Sequence, residues 1–488
     1  MSLTISKKHF FLLIIQIIFV FLSLFILILK RGNSSQNFIF WSQYGTIICI
    51  LLLILLCYFQ KKIVTSLNLV FFAFCLFQFG IPILYAIDQD YNNFYMTLFS
   101  DQILEKAAIF SVISIQIFSI GVYLGMPWND KKKKIRVLRK TSRKTFGERF
   151  EENRYIVSQA ALILFIITGI VVIPLSLSAA IKSIASGSIS IDFRRTLTSN
   201  AFLRFMQEFF FPSGLLYLCF SESKNIKKII KSVYVFVAIL MLLVADRNGG
   251  LTALAVIALY HTYYENIDER KNVKFSRKVQ FIVLAFIILF LLIFISQARS
   301  GKVTSINMLY KNMLRYFVGE LGFNFTTICF VMKYVPSHYP FQFGLSYIIA
   351  VLLLIPSSID IFGFNNKFAS KTGAVWLHNM NMASGNTFLA FGVGFSIIGE
   401  AYFNFAWAGV IPILLIGILV AKFLGENKRH SCQWSQYIHL VALLGMLTFP
   451  RRQFIEFLKS VEYSVVFMGL YLVIYIKILK YKGYVRKS

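Results

Sequence analysis

Apolar runs of about 20 residues recur along this chain from one end to the other, each long enough to cross a bilayer as a helix. No other feature narrows the fold as much. Inside lipid no water is present to satisfy backbone N–H and C=O groups, so a spanning segment closes those bonds within itself. The composition agrees: 57% of the 488 residues are hydrophobic, well above the apolar content of ordinary soluble proteins. The expectation is an all-α polytopic membrane protein, residues 1–488 forming one integral membrane domain with no soluble domain and no internal repeat. The first run, Phe10–Leu29, follows Lys7-Lys8. It is too long for a signal-peptide core and has no small-residue cleavage site behind it, so it reads as a retained helix.

A net charge of +29 would suggest nucleic acid in a soluble chain. Here the positive charge clusters in the loops between apolar runs, as membrane topology demands, and no basic-aromatic nucleic-acid module is visible. The strongest block, Lys131–Lys144, anchors a basic loop over residues 127–154 on the cytoplasmic side. That loop reads as a solvated linker within reach of anionic headgroups. Counting helices outward puts Lys7-Lys8, Lys61-Lys62, Lys224–Lys231, Arg270–Lys278, Lys422–Arg429 and Lys477–Lys487 inside. Both termini are then cytoplasmic, and Asp88, Asp90 and Asp101 lie outside. The count comes to about 12 to 14 transmembrane helices. A long extracytoplasmic region runs from about residue 298 to 395, with amphipathic or re-entrant segments. Within it, Leu321–Val335 and Phe343–Ile359 either both span or both insert partway.

The six cysteines lack metal-ligand spacing, and no metalloprotease, nucleotide or dinucleotide motif is present. No cofactor or metal is expected. The residues that invite chemistry are arginines on the outer side, where the charge rule does not predict them: Arg194, Arg195, Arg247, Arg299 and Arg315. Arginine is a permanent planar cation suited to phosphate oxygens. The plainer reading of each is a helix-end side chain snorkelling to the interface. Arg247 sits in Asp246-Arg247-Asn248-Gly249-Gly250, a polar break between the apolar runs Val233–Ala245 and Leu251–Tyr264. Lys311 and Arg315 share one face of an amphipathic pattern over Ser305–Gly322.

The densest polar signal lies in Gly373–Gly409. His378-Asn379 falls in a stretch read as an outer loop. Ser396, Glu400 and Asn404 are spaced by four, so a helix puts them on one face. A polar stripe with a carboxyl group in an apolar helix should face a cavity rather than lipid. Glu400 reads equally as a general base or as a structural carboxylate.

The segment Gly392–Gly409 resembles the Gly-rich, Ser, Glu-x-Tyr-x-Asn-Phe signature of the O-antigen and capsule repeat-unit polymerases, the Wzy family. The Asp246–Gly250 tip is similar to a Ser-Arg-Gly tip of the related O-antigen ligase superfamily, with Asp246 in place of the serine and Asn248 before the glycines. The resemblance covers about residues 233–421. It implies a metal-independent glycosyltransferase at the outer face of a bacterial plasma membrane, building a capsule, exopolysaccharide or O-antigen. Its substrate would be an oligosaccharide repeat on undecaprenyl pyrophosphate, and a chain-length regulator is a plausible partner. The ligase branch implies two arginines and a histidine at the site, which by position are Arg247, Arg299 and His378, with Glu400 beside them. Arg194, Arg195, Arg315, Ser396 and Asn404 are the expected substrate-binding residues. The rival readings are a flippase for lipid-linked sugars and a non-catalytic membrane scaffold. An absent repeat weighs against the flippase, and the polar stripe against the scaffold.

Overall fold

The computed structural model describes residues 7–30, 34–60, 65–88, 91, 93–126, 146–186, 201–244, 247–261, 264, 313–355, 362–385, 394–425 and 432–481. Their regular structure is helical. In chain order the helices are α1 (Lys7–Leu29), α2 (Ser34–Gln60), α3 (Ser66–Ile87), α4 (Asp101–Gly125), α5 (Phe146–Glu152), α6 (Arg154–Ser186), α7 (Ala201–Phe220), α8 (Lys224–Leu243) and α9 (Arg247–Tyr260). They continue as α10 (Met313–Gly322), α11 (Phe325–Tyr334), α12 (Leu345–Leu352), α13 (Phe364–Phe368), α14 (Gly373–Ala383), α15 (Ile397–Phe405), α16 (Val410–Leu424), α17 (Gln433–Met446), α18 (Phe454–Val461) and α19 (Met468–Tyr481).

Seven helical stretches among the described residues are long and apolar enough to cross a membrane: His9–Leu29, Asn37–Gln60, Ser66–Ile87, Asp101–Gly125, Arg154–Lys182, Ile397–Leu424 and Phe454–Tyr481. The chain is thus an all-α polytopic membrane protein. Two of these stretches are not uniform. Ile397–Leu424 passes through a 3-10 turn at Ala406–Gly409, where Ala406 takes a φ of 52°, and Phe454–Tyr481 passes through a π-helical turn at Glu462–Phe467.

The described residues of the ambiguous pair, Leu321–Val335 and Phe343–Ile359, form short helices. With ten and eight residues, α11 and α12 rise about 15 Å and about 12 Å. Neither alone crosses a hydrocarbon core of about 30 Å.

The chain divides into two compact units. The first comprises Met1–Ser142, Val318–Asn427 and Met446–Lys459. Its most extensive pairing is α4 against α16. The contact is built on small residues: Gly121 and Gly125 on one helix face Gly417 and Ala421 on the other. A Cβ on Gly417 would sit 3.1 Å from the Gly121 Cα and press on the Phe118 carbonyl. Small residues at a spacing of four let two backbones approach where lipid supplies no hydrophobic drive, so packing itself carries the association. A second close crossing joins Gly80 of α3 to Gly322 at the end of α10, a Cβ on Gly80 falling 2.7 Å from the Gly322 Cα.

The second unit comprises Arg143–Phe317, Lys428–Gly445 and Ser460–Ser488. Here α6 packs on α7, with Phe165 stacked on Phe210 at 4.8 Å between ring centroids. The break at residue 247 follows from glycine: at Gly250 a Cβ would meet the Ala238 carbonyl at 2.6 Å, so α9 folds back tightly along α8. Tyr260 donates from its hydroxyl to the Leu218 carbonyl at 2.8 Å, tying α9 to α7.

Two glycine substitutions separate these contacts. Gly417→Leu should force α4 and α16 apart, an overpacking cost of about 1–3 kcal/mol, and lower the melting temperature of the detergent-purified protein. Gly169→Ala meets only ordinary contacts, with Phe210 at 3.5 Å and Ile173 at 3.6 Å, and should leave the melting temperature equal or higher. Equal thermal stability of Gly417→Leu and wild type would contradict the close-packing account.

Candidate functional site

The α15 helix starts where its sequence says it should. Ser396 has the extended backbone of a cap and accepts from the Gly399 N–H at 3.2 Å. The same hydroxyl donates to Gln78 Oε1 on α3 at 2.6 Å. Gln78 and Asn324 both donate to the Pro450 carbonyl, the latter at 3.2 Å. The Gly80–Gly322 crossing brings these two amides to one acceptor, since each lies two residues from a glycine of that contact.

One turn further along α15, Glu400 is 2% exposed and both its carboxylate oxygens are engaged. Oε1 accepts from the Ser346 hydroxyl at 2.8 Å, and Oε2 accepts from the Phe454 N–H at 2.7 Å. Phe454 is the first residue of α18, so the carboxylate meets one of the N–H groups that a helix start leaves unpaired, at the positive end of its dipole. The next turn holds Asn404. Its Nδ2 donates to Ser346 Oγ at 2.7 Å and to the Glu400 carbonyl at 2.8 Å. Its Oδ1 accepts from the N–H groups of Gly344 and Ser346 at 3.0 and 3.4 Å, capping α12.

The end of α15 is sealed by the same loop. The carbonyls of Phe403 and Asn404 accept from the N–H groups of Gln342 and Phe343 at 3.1 and 2.9 Å. Gly344, with a φ of 88°, turns that loop back into α12; its left-handed backbone is the one glycine adopts without strain. Ser396, Glu400 and Asn404 therefore do line one face: Ser396 meets α3, Glu400 meets α12 and the start of α18, and Asn404 meets α12.

His378 departs from the expectation of a loop. It lies in α14, half-buried. The helix forms because Trp376 and Leu377 bury against aromatic neighbours: Trp376 lies 4.4 Å from Phe403 of α15 and 5.3 Å from Tyr339 between ring centroids. Tyr334 of α11 donates to Asn381 Oδ1 at 3.0 Å, and the Ala374 N–H donates to Gln453 Oε1 at 3.2 Å. The helix that carries His378 is thus docked both on α15 and on the segment before α18.

The arginines are distributed differently. Arg247 is the first residue of α9, in the second unit. Arg315 is half-buried on α10. Arg194, Arg195 and Arg299 lie outside the described residues. Within the first unit the structure brings together Ser396, Glu400, Asn404 and the His378 helix.

Sequence reading missed Gln78, Asn324, Ser346 and Gln453, which complete the network. It also missed the break Thr448-Phe449-Pro450-Arg451-Arg452-Gln453 between two apolar helices. A polar interruption containing proline and two arginines was the available signal for that break.

A polytopic helical membrane protein with a fully hydrogen-bonded polar face on an interrupted spanning helix is the class that fold and site define. A family model described as O-antigen polysaccharide polymerase Wzy matches residues 12–482, nearly the whole chain, and the chain belongs to that family. Comparison with curated proteins and with solved structures gives no match.

The network makes a coupled stability test. Ser346→Ala and Asn404→Ala should each destabilise by about 1–3 kcal/mol, because each leaves buried partners unsatisfied. The double variant should cost less than the sum, since the two side chains share one bond. Strict additivity in thermal unfolding would show that they act separately.

Proposed function

We propose that this protein is a repeat-unit polymerase working at the outer face of the plasma membrane, joining oligosaccharide repeats carried on undecaprenyl pyrophosphate. The observation that carries the reading is the family match over residues 12–482. Helix polarity supports the placement. Ile397–Leu424 has its N-terminal end at the Glu400 network, while Lys422 lies toward its C-terminal end. Lysine collects on the cytoplasmic side, which supports the opposite side for the polar network.

The reaction breaks the bond between the anomeric carbon of the donor chain and its pyrophosphate oxygen. It forms a bond from that carbon to an acceptor hydroxyl of the next lipid-linked repeat. The electron pair leaves with the lipid pyrophosphate, and the hydroxyl proton passes to a base. Negative charge grows on the leaving group, and preorganised cations facing it lower the barrier most. Arg247 and Arg299 are our candidates for that role, with Arg194, Arg195 and Arg315 as further binding residues. His378 is the candidate base, since histidine is the side chain that most often takes the proton in such transfers. We assign Glu400 a positioning role instead, because both of its oxygens already hold donors; Ser396 and Asn404 share that role.

Purified protein given lipid-linked repeats alone should produce a ladder of polymers without added metal or nucleotide. Movement of the repeats between leaflets with no extension would favour a flippase and overturn the reading. Arg247→Ala and His378→Ala should leave the protein folded and reduce chain extension by about 100-fold or more. Glu400→Gln keeps an acceptor for Phe454 and a polar partner for Ser346, so it should retain measurable extension. Loss as complete as in His378→Ala would return Glu400 to the chemistry.

A further inference from the structure

We propose that Arg451 and Arg452 are a diphosphate-binding pair, held in place by the Glu400 network; this rests on the polymerase reading above. The two arginines interrupt helical backbone between α17 and α18, and both are half-buried. The chain around them is fixed on each side. Before them, the Pro450 carbonyl accepts from Gln78 and Asn324. After them, the Gln453 amide oxygen accepts from the Ala374 N–H, and the Phe454 N–H donates to Glu400. Their own N–H groups donate to the carbonyls of Thr448 and Phe449 at 3.0 and 2.9 Å. Segments from α3, α11, α14 and α15 therefore converge to hold two consecutive cations in one geometry.

The placement repeats the anomaly that singled out the other outer arginines. Arg451 and Arg452 precede the N-terminal end of the Phe454–Tyr481 stretch, which also carries Lys459. Arg452 pairs with Glu456 at 3.5 Å, and the Glu456 side chain is 44% exposed. A solvent-screened pair of that kind is worth little and gives way to a ligand readily. Phe368, with the Lys367 and Lys371 ammonium groups each 5.6 Å from its ring centroid, packs on the cluster of Ile349, Ala350, Leu353 and Ile455 that joins α12 to α18. Consecutive arginines on a fixed backbone offer two planar forks, a match to the two phosphates of a diphosphate. A pinned pair also has less conformational freedom to lose on binding.

The test is binding of undecaprenyl diphosphate to the full-length protein in detergent, read by intrinsic fluorescence, with inorganic pyrophosphate and undecaprenyl monophosphate as parallel probes. Arg451→Gln and Arg452→Gln should each weaken binding of the lipid diphosphate about tenfold or more, while Arg149→Gln on α5 leaves it unchanged. Wild-type affinity in both glutamine variants overturns the proposal and leaves the polymerase reading intact. Failure of the wild-type protein to bind the lipid diphosphate removes the substrate class itself. Equal affinity for inorganic pyrophosphate and the lipid form would overturn a lipid-linked ligand. Should the glutamine variants not fold, the lysine variants decide: the loss of the planar fork should weaken binding and reduce preference for diphosphate over monophosphate. Unchanged affinity and preference there also overturns the proposal.

Discussion

The Glu400 carboxylate, closed inside the first unit between Ser346 and the first N–H of α18, is the interaction on which the local architecture depends. A buried carboxylate without partners is among the most costly arrangements in a protein, and in an apolar surround the cost rises further. Here every oxygen is engaged, and so is the backbone it touches. The same set of bonds ends α15, starts α12 and fixes the start of α18. Short helices and irregular backbone survive at membrane depth only where protein satisfies their polar groups. Remove the Glu400–Asn404 face and the loop at 342–344 and the break at 448–453 both lose the donors and acceptors that define them.

This arrangement explains why a spanning helix carries a polar stripe at all. The stripe is a joint between segments far apart in sequence, and its value lies in rigidity. Transfer chemistry at a pyrophosphate asks for cations already in position, because reorganising them during the reaction would cost the barrier reduction they supply. In the proposed reaction, a carboxylate fixed by its partners and holding the backbone next to two arginines would meet that requirement.

Much of this was legible in the sequence. The apolar runs announced the helices, and the four-residue spacing of Ser396, Glu400 and Asn404 announced their common face. The Asp246–Gly250 sequence announced a break between two apolar runs. What lay beyond reach were the partners: Gln78 is 318 residues from Ser396, and Ser346 is 54 from Glu400, with no local periodicity linking them. His378 looked like a loop residue because its surroundings are polar and short. Only the burial of Trp376 against Phe403 turns that stretch into a helix. The pair Arg451-Arg452 reads as an ordinary helix-end charge until the bonds on either side of it are seen. The small-residue seam between α4 and α16 shares this character, since glycine spacing shows a possible contact but not its partner.

Hydrogen exchange tests the central claim most directly. In the wild-type protein the amides across residues 449–456 should be protected, and in Glu400→Ala they should exchange much faster, while peptides from the α4–α16 seam keep their wild-type rates. Unchanged protection of residues 449–456 in Glu400→Ala would mean that this carboxylate does not hold the segment, and the account of a buried joint positioning two arginines would fail.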